Sequence, residues 1–200
     1  MNDLLLHARD HLILCVSALA VALLPGIAAG MLVARVRSLR EVGLAAVNLG
    51  RVVPSLAVLA LMIPLIGVGF RPALVALVLL AIPPIAINTD LGLRGVPPEI
   101  VDAAVGTGMS RAQVQRRVVW PLALPVVFAG IRTATVEVIA SATLAAFIGG
   151  GGLGELIVNG LAGNDTGMLI EGAASVGVLA LAAEALLGHG ERRIRAAIGG

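Results

Sequence analysis

Apolar runs of about the length that crosses a bilayer as a helix constrain this chain more than any other feature. They fall at residues 12–34, 52–69, 73–88, 122–148 and 168–187, separated by polar stretches. Hydrophobic residues make up 58% of the 200, and the mean hydropathy is +1.02. A soluble fold of this size hides only about 70% of its chain, too little to cover so much apolar side chain. Lipid must supply the remaining cover. The expected fold is therefore all-α, a polytopic membrane protein with five transmembrane helices and one transmembrane domain over residues 1–200.

The formal charge is +2, and every basic residue apart from histidine is Arg. In a soluble protein a basic balance points to nucleic acid. Here the arginines sit between apolar runs, where membrane topology explains them better. With five spans, Arg35, Arg37, Arg40, Arg51, Arg94, Arg111, Arg116, Arg117, Arg192, Arg193 and Arg195 fall on one side, and Arg9 and Arg71 on the other. The bias predicts an outside N-terminus, an inside C-terminus and a cytoplasmic loop at about 91–120. The first run follows Asp3, Arg9 and Asp10 rather than a basic start, so it reads as a retained helix and not a signal peptide. Pro25 is expected to bend that helix, and Pro83-Pro84 to break the third near mid-membrane. Such a break marks a transport route or is a mere kink.

The cytoplasmic loop carries the most specific local pattern. Pro98 suits the first position of a helix, and Glu99 favours its positive end. Ile100, Val101, Ala104 and Val105 form one apolar face, with Asp102 and Ala103 beside it. Gly106 and Gly108 end the helix before Met109, and Ser110 with Gln113 reads as a capping box opening a second one. Two short helices meeting at small residues can enter a groove on a partner, because no bulky side chain holds the two proteins apart.

The run Asp102-Ala103-Ala104, then Gly108, then Val118 and Trp120-Pro121 resembles the Glu-Ala-Ala…Gly…Ile-x-Leu-Pro pattern of bacterial ABC importer membrane subunits. Asp102 stands where that pattern has Glu, and Trp120 where it has Leu. A narrower likeness to osmoprotectant permeases for glycine betaine, choline and carnitine runs from Arg51 onward. It rests on Val53-Pro54-Ser55-Leu56-Ala57, Asn88-Thr89, Pro121-Leu122-Ala123-Leu124-Pro125, Gly130-Ile131-Arg132-Thr133-Ala134-Thr135, Ala142-Thr143-Leu144-Ala145-Ala146 and Gly150-Gly151-Gly152-Leu153-Gly154. The resemblance implies the type I importer (MetI-like) fold in the bacterial cytoplasmic membrane. It implies a second permease subunit (identical or homologous), a cytoplasmic ABC ATPase that holds the ATP and Mg, and an extracytoplasmic substrate-binding protein. Glu99, Asp102, Ala103, Ala104, Gly108 and Met109 would form the coupling helix that docks on the ATPase. This chain itself would hold no cofactor and do no covalent chemistry.

Other groups are read beside that expectation. Glu137, within the fourth run, either lines a route for a cationic headgroup or makes a polar contact between helices. With Pro54, Ser55 and Pro83 it forms the expected substrate pathway. Asn88-Thr89-Asp90 caps or gates the cytoplasmic exit. The glycines at 149–154 lack the Gly-Lys-Ser/Thr of a phosphate loop, so they read as outer-surface turns that meet the binding protein. His7, His11 and His189 stand apart at the ends of the chain and make no metal site, and Cys15 reads as packing. With no Tyr, and only Phe70, Phe128, Phe147 and Trp120 as aromatics, an aromatic box for a quaternary ammonium is not expected within one subunit. Rival readings are a permease of this fold for methionine or another amino acid, and a channel or structural membrane protein with no energy source. An intramembrane enzyme is the remotest, for want of paired catalytic groups.

Overall fold

The computed structural model describes residues 2–36 and 55–199, and all regular structure in them is helical. Arg37, Arg40, Arg51, the expected linker at 38–50 and the first residues of the second run, Pro54 among them, lie outside the described residues. The helices are α1 (Asn2–Arg35), α2 (Ser55–Ile66), α3 (Phe70–Arg94), α4 (Pro98–Gly106), α5 (Arg111–Val114), α6 (Trp120–Ala142), α7 (Gly154–Ala162) and α8 (Thr166–Gly199). A π-helical turn, Gln115–Val119, joins α5 to α6, and a 3-10 stretch, Thr143–Ile148, follows α6.

Four helices among the described residues, not five, are long and apolar enough to cross a membrane: Asp3–Arg35, Phe70–Arg94, Arg111–Ile148 and Thr166–Ile198. The described part of the second run is the 12-residue α2, about 18 Å long at the helical rise. Gly67 and Gly69, with φ of 92° and 107°, stop it at the end where α3 begins. Gly69 N–H donates to the Ile148 carbonyl at 2.6 Å, so the start of α3 and the end of the 3-10 stretch share that end of the bundle. α1 finishes at the opposite end. α8 finishes there too, so the described N- and C-terminal residues lie at opposite ends of the bundle, as the five-run reading requires.

α3 is the central helix. It lies parallel to α1 and antiparallel to α6, and both contacts are made through glycine. A Cβ on Gly30 would stand 2.5 Å from the Ala86 carbonyl and the Thr89 Cβ; one on Gly26 would stand 2.8 Å from Ile85. On α6, a Cβ at Gly130 would stand 2.5 Å from Asn88 Cβ and 2.8 Å from the Pro84 carbonyl. In lipid, backbones that approach this closely gain dispersion that apolar burial cannot supply. Leu14, Ala18, Ala22, Leu77, Ala81, Ile85, Ala134, Val138 and Ala142 fill the seam.

Two expectations are corrected here. Pro83-Pro84 does not break α3: the helix runs on through Arg94, with both prolines buried. The carbonyls of Leu79 and Leu80 lose their usual donors, but packing by α1 and α6 holds the rod together. The polar loop at 90–120 is also shorter than expected. α3 claims its start, and the helix of the fourth run begins at Arg111. Trp120 is thus the first residue of α6 rather than a loop residue.

Candidate functional site

Apart from Arg132 within α6, the described arginines divide between the two ends of the bundle. Arg35, Arg94, Arg111, Arg116, Arg117, Arg192, Arg193 and Arg195 gather where α1, α3 and α8 finish; Arg9 and Arg71 lie at the other end. At the arginine-rich end, residues 95–119 fold into a small knob with its own apolar centre.

Pro97 is extended and Pro98 opens α4, with Glu99 in its first turn. Val101 and Ala104 turn inward onto Val96, Val114 and Val119, with Leu93, Met109, Val118 and Leu122 around them. The expected apolar face is therefore split: Ala104 is buried in this chain, whereas Ile100 and Val105 are exposed beside Asp102 and Ala103. Three backbone bonds close the C-terminal turn: Thr107 N–H to the Ala103 carbonyl at 3.1 Å, Gly108 N–H to Val105 at 2.9 Å and Met109 N–H to Ala104 at 3.3 Å. Thr107 Oγ1 donates to the Ala104 carbonyl at 2.8 Å. Gly108 takes φ of 86°, which disfavours any residue with a Cβ. A Cβ on Gly106 or Gly108 would meet nothing within 4 Å. These glycines serve a turn and an open surface, not contacts within the chain.

The capping box forms as expected. Ser110 N–H donates to Gln113 Oε1 at 2.8 Å, and Gln113 N–H to Ser110 Oγ at 3.3 Å. The π turn follows directly, with Trp120 N–H reaching back to the Gln115 carbonyl. Pro121 has no N–H for the Arg117 carbonyl, which disturbs the ladder where the knob meets α6.

The expected pathway residues are dispersed. Pro54 lies outside the described residues, Ser55 is half-buried at the start of α2, and Pro83 is buried within α3. Glu137 is half-buried on α6 and engaged in an interaction of its own. Asn88 Nδ2 donates to the Pro84 carbonyl at 2.9 Å, and Thr89 Oγ1 to the Ile85 carbonyl at 2.8 Å. Both are turned onto their own helix. Asp90, 1% exposed, pairs with Arg94 one turn on.

Two clusters escape a reading by runs and motifs. Arg132 bridges α6 to α8, pairing with Glu184 at 2.9 Å and Glu191 at 2.6 Å. Arg195 also donates to Glu191, at 3.0 Å. Glu184 and Glu191 are two helical turns apart and share a face, the one signal that could have marked them. His11, read from the sequence only as a lone histidine outside any metal site, is fully buried. Its Nε2 donates to the Ile139 carbonyl at 3.1 Å, and Gly152 lies so close that a Cβ there would stand 2.9 Å from Nδ1. The glycine-rich turn thus lies over α1. No group of three or more His, Cys, Asp or Glu able to hold a metal occurs among the described residues.

Known proteins match this arrangement over nearly its whole length. OpuBB, the choline transport system permease protein of Bacillus subtilis (strain 168), is 40% identical over 193 residues, covering 96% of this chain and 89% of the relative. OsmY, the osmoprotectant import permease protein of Salmonella typhimurium, is 41% identical over 194 residues, covering 96% and 82%. The fold is that of the MetNI methionine ABC transporter in an inward-facing conformation, with a TM-score of 0.84, 22% identity and 96% of both chains covered. Residues 26–196 match the family model described as the binding-protein-dependent transport system inner membrane component. The chain belongs to that family: it is the inner-membrane component of a binding-protein-dependent transport system.

Proposed function

We propose that this permease subunit imports a quaternary-amine osmoprotectant, such as glycine betaine, choline or carnitine, at the expense of ATP hydrolysed by a partner. The named transport roles of relatives at about 40% identity support the solute class. The subunit is not itself an enzyme. ATP and Mg belong to the cytoplasmic ATPase, solute selection to an extracytoplasmic binding protein, and a second permease subunit completes the route. The gathering of arginines at one end supports an inside C-terminus and an outside N-terminus.

The observation that carries the coupling role is the exposed turn of α4. Glu99, Asp102, Ala103 and Gly108 are open to a partner, while Ala104 and Met109 hold the knob onto α5 and α6. Force applied at Asp102 and Ala103 passes through Val101 and Ala104 to Val114 and Val119, and so into α6. Ser55 and Glu137 remain the best-placed pathway residues; Pro83, being buried, would act on the route through the shape of α3.

The test is uptake by the assembled transporter in proteoliposomes. Gly108→Asp places a side chain on the open face at a positive φ, and ATP-driven uptake is expected to vanish while the subunit still folds. Unchanged uptake would rule out this segment as the coupling element. Labelled betaine and choline should be taken up and methionine should not; the reverse result would favour the amino-acid reading.

A further inference from the structure

A groove of about 440 Å³ opens at the arginine-rich end, between the start of α6 and the end of α8. Trp120, Pro121 and Leu124 form one wall, Ile194, Ala197 and Ile198 the other, and Arg116 completes the lining. The walls are almost wholly apolar, which is unfavourable against water. Their position resolves this. Trp120 and Pro121 open α6 at the arginine-rich end of the apolar run 122–148, and an indole is favoured where hydrocarbon meets water. Arg116 is the one charged residue in the lining, and Glu191, one turn from Ile194, is taken up by Arg132 and Arg195. Arg116, Arg117, Arg192 and Arg193 are exposed, and none has an ion partner among the described residues. No acidic residue lines the groove.

We propose that this groove is a binding site for one anionic phospholipid, with an acyl chain on the apolar walls and the phosphate at Arg116. Basic pockets between transmembrane helices suit acidic headgroups, and a basic residue near the surface adds attraction. A zwitterionic lipid would gain the same apolar contact but less from the arginines. A second copy of this chain packed face to face would set arginine against arginine. The inference is independent of the solute carried.

Native mass spectrometry of the transporter, extracted with its partner subunits from nanodiscs containing equal palmitoyl-oleoyl phosphatidylglycerol and phosphatidylcholine, tests it. Wild type should retain phosphatidylglycerol in preference. Arg116→Gln should cut that preference about five-fold, the effect of one basic residue at an anionic surface. Leu124→Trp, at a side chain 41% exposed, should fill the groove and reduce retention of both lipids. Both changes lie on the surface and leave the core intact, which circular dichroism would check. Equal retention of the two lipids by wild type, or a preference unaltered in both variants, overturns the proposal. So does a Leu124→Trp protein that loses a protein subunit while keeping its lipid, since the groove would then be a protein interface.

Discussion

α3 and α8 are both long, apolar helices, yet this chain treats them differently. Half of the membrane-crossing window of α3 is buried within the subunit, against 11% for α8. α3 is completed by its own chain, gripped on two sides by glycines that admit α1 and α6. α8 leaves Ile170, Val178, Leu181 and Leu186 exposed and is tied to α6 by charge, through Arg132 with Glu184 and Glu191, beside the packing of Val176, Leu179, Ala180 and Ala183 on the core. A helix closed by shape resists change in either direction; one closed by a few ion pairs and outside cover can slide. In a gate, the first kind forms the frame and the second the moving wall.

A matched pair of glycine substitutions should separate the two regimes most widely. Gly130→Leu drives a side chain into Asn88 and the Pro84 carbonyl, where even a Cβ would come within 2.8 Å. The expected loss is about 3 kcal/mol, the upper range for overpacking a close-packed seam. On α8, a Cβ at Gly177 would meet nothing within 4 Å, and the effect of Gly177→Leu on subunit stability should stay within about 0.5 kcal/mol. Thermal or SDS unfolding in detergent reads both. Equal damage from the two would erase the distinction between a finished and an unfinished helix.

The ionic tether comes next in size. Glu191 is 12% exposed and lies 2.6 Å from Arg132; Glu184 is 43% exposed at 2.9 Å. Water screens the second pair far more than the first. A double-mutant cycle of Arg132→Gln with Glu191→Gln should give a coupling of about 1–2 kcal/mol. The same cycle with Glu184→Gln should give no more than about 0.5 kcal/mol. Hydrogen exchange should speed up along α8 in Arg132→Gln and leave α3 unchanged. Faster exchange in α3 instead would mean that the tether supports the frame rather than the moving helix.

What could be read before the structure follows the range of each interaction. The turn at Gly108 and the Ser110–Gln113 capping box are local, and both formed where their spacing put them. Hydropathy marked every run, because lipid acts on composition. It could not place helix ends, since Phe70–Arg94 and Thr166–Gly199 extend past their apolar parts into polar residues. Nor could it foresee that α2 would stop at Ile66, before a pair of glycines with positive φ. Pro83-Pro84 misleads for a related reason: proline breaks an isolated helix, but here neighbours on both sides hold it straight. The Arg132 cluster and buried His11 needed the third dimension, because their partners lie 59 and 128 residues away.

The smallest change asks whether the α1–α3 seam depends on polarity or on shape. Thr89 is fully buried, its Oγ1 donates to the Ile85 carbonyl one turn back, and its Cβ lies against Gly30. That carbonyl is already paired along the helix, so the hydroxyl supplies its own satisfaction and little more. Thr89→Val keeps the branched shape facing Gly30 and replaces the hydroxyl by a methyl. If shape governs, stability should change by no more than about 0.5 kcal/mol, because removing a buried donor along with its need for a partner is nearly neutral. Thr89→Leu, equally apolar but differently branched, should cost more in the same unfolding assay. A Val variant as damaged as the Leu variant would show that the hydroxyl is what holds α1 to α3, and that the frame, like α8, depends on polar ties.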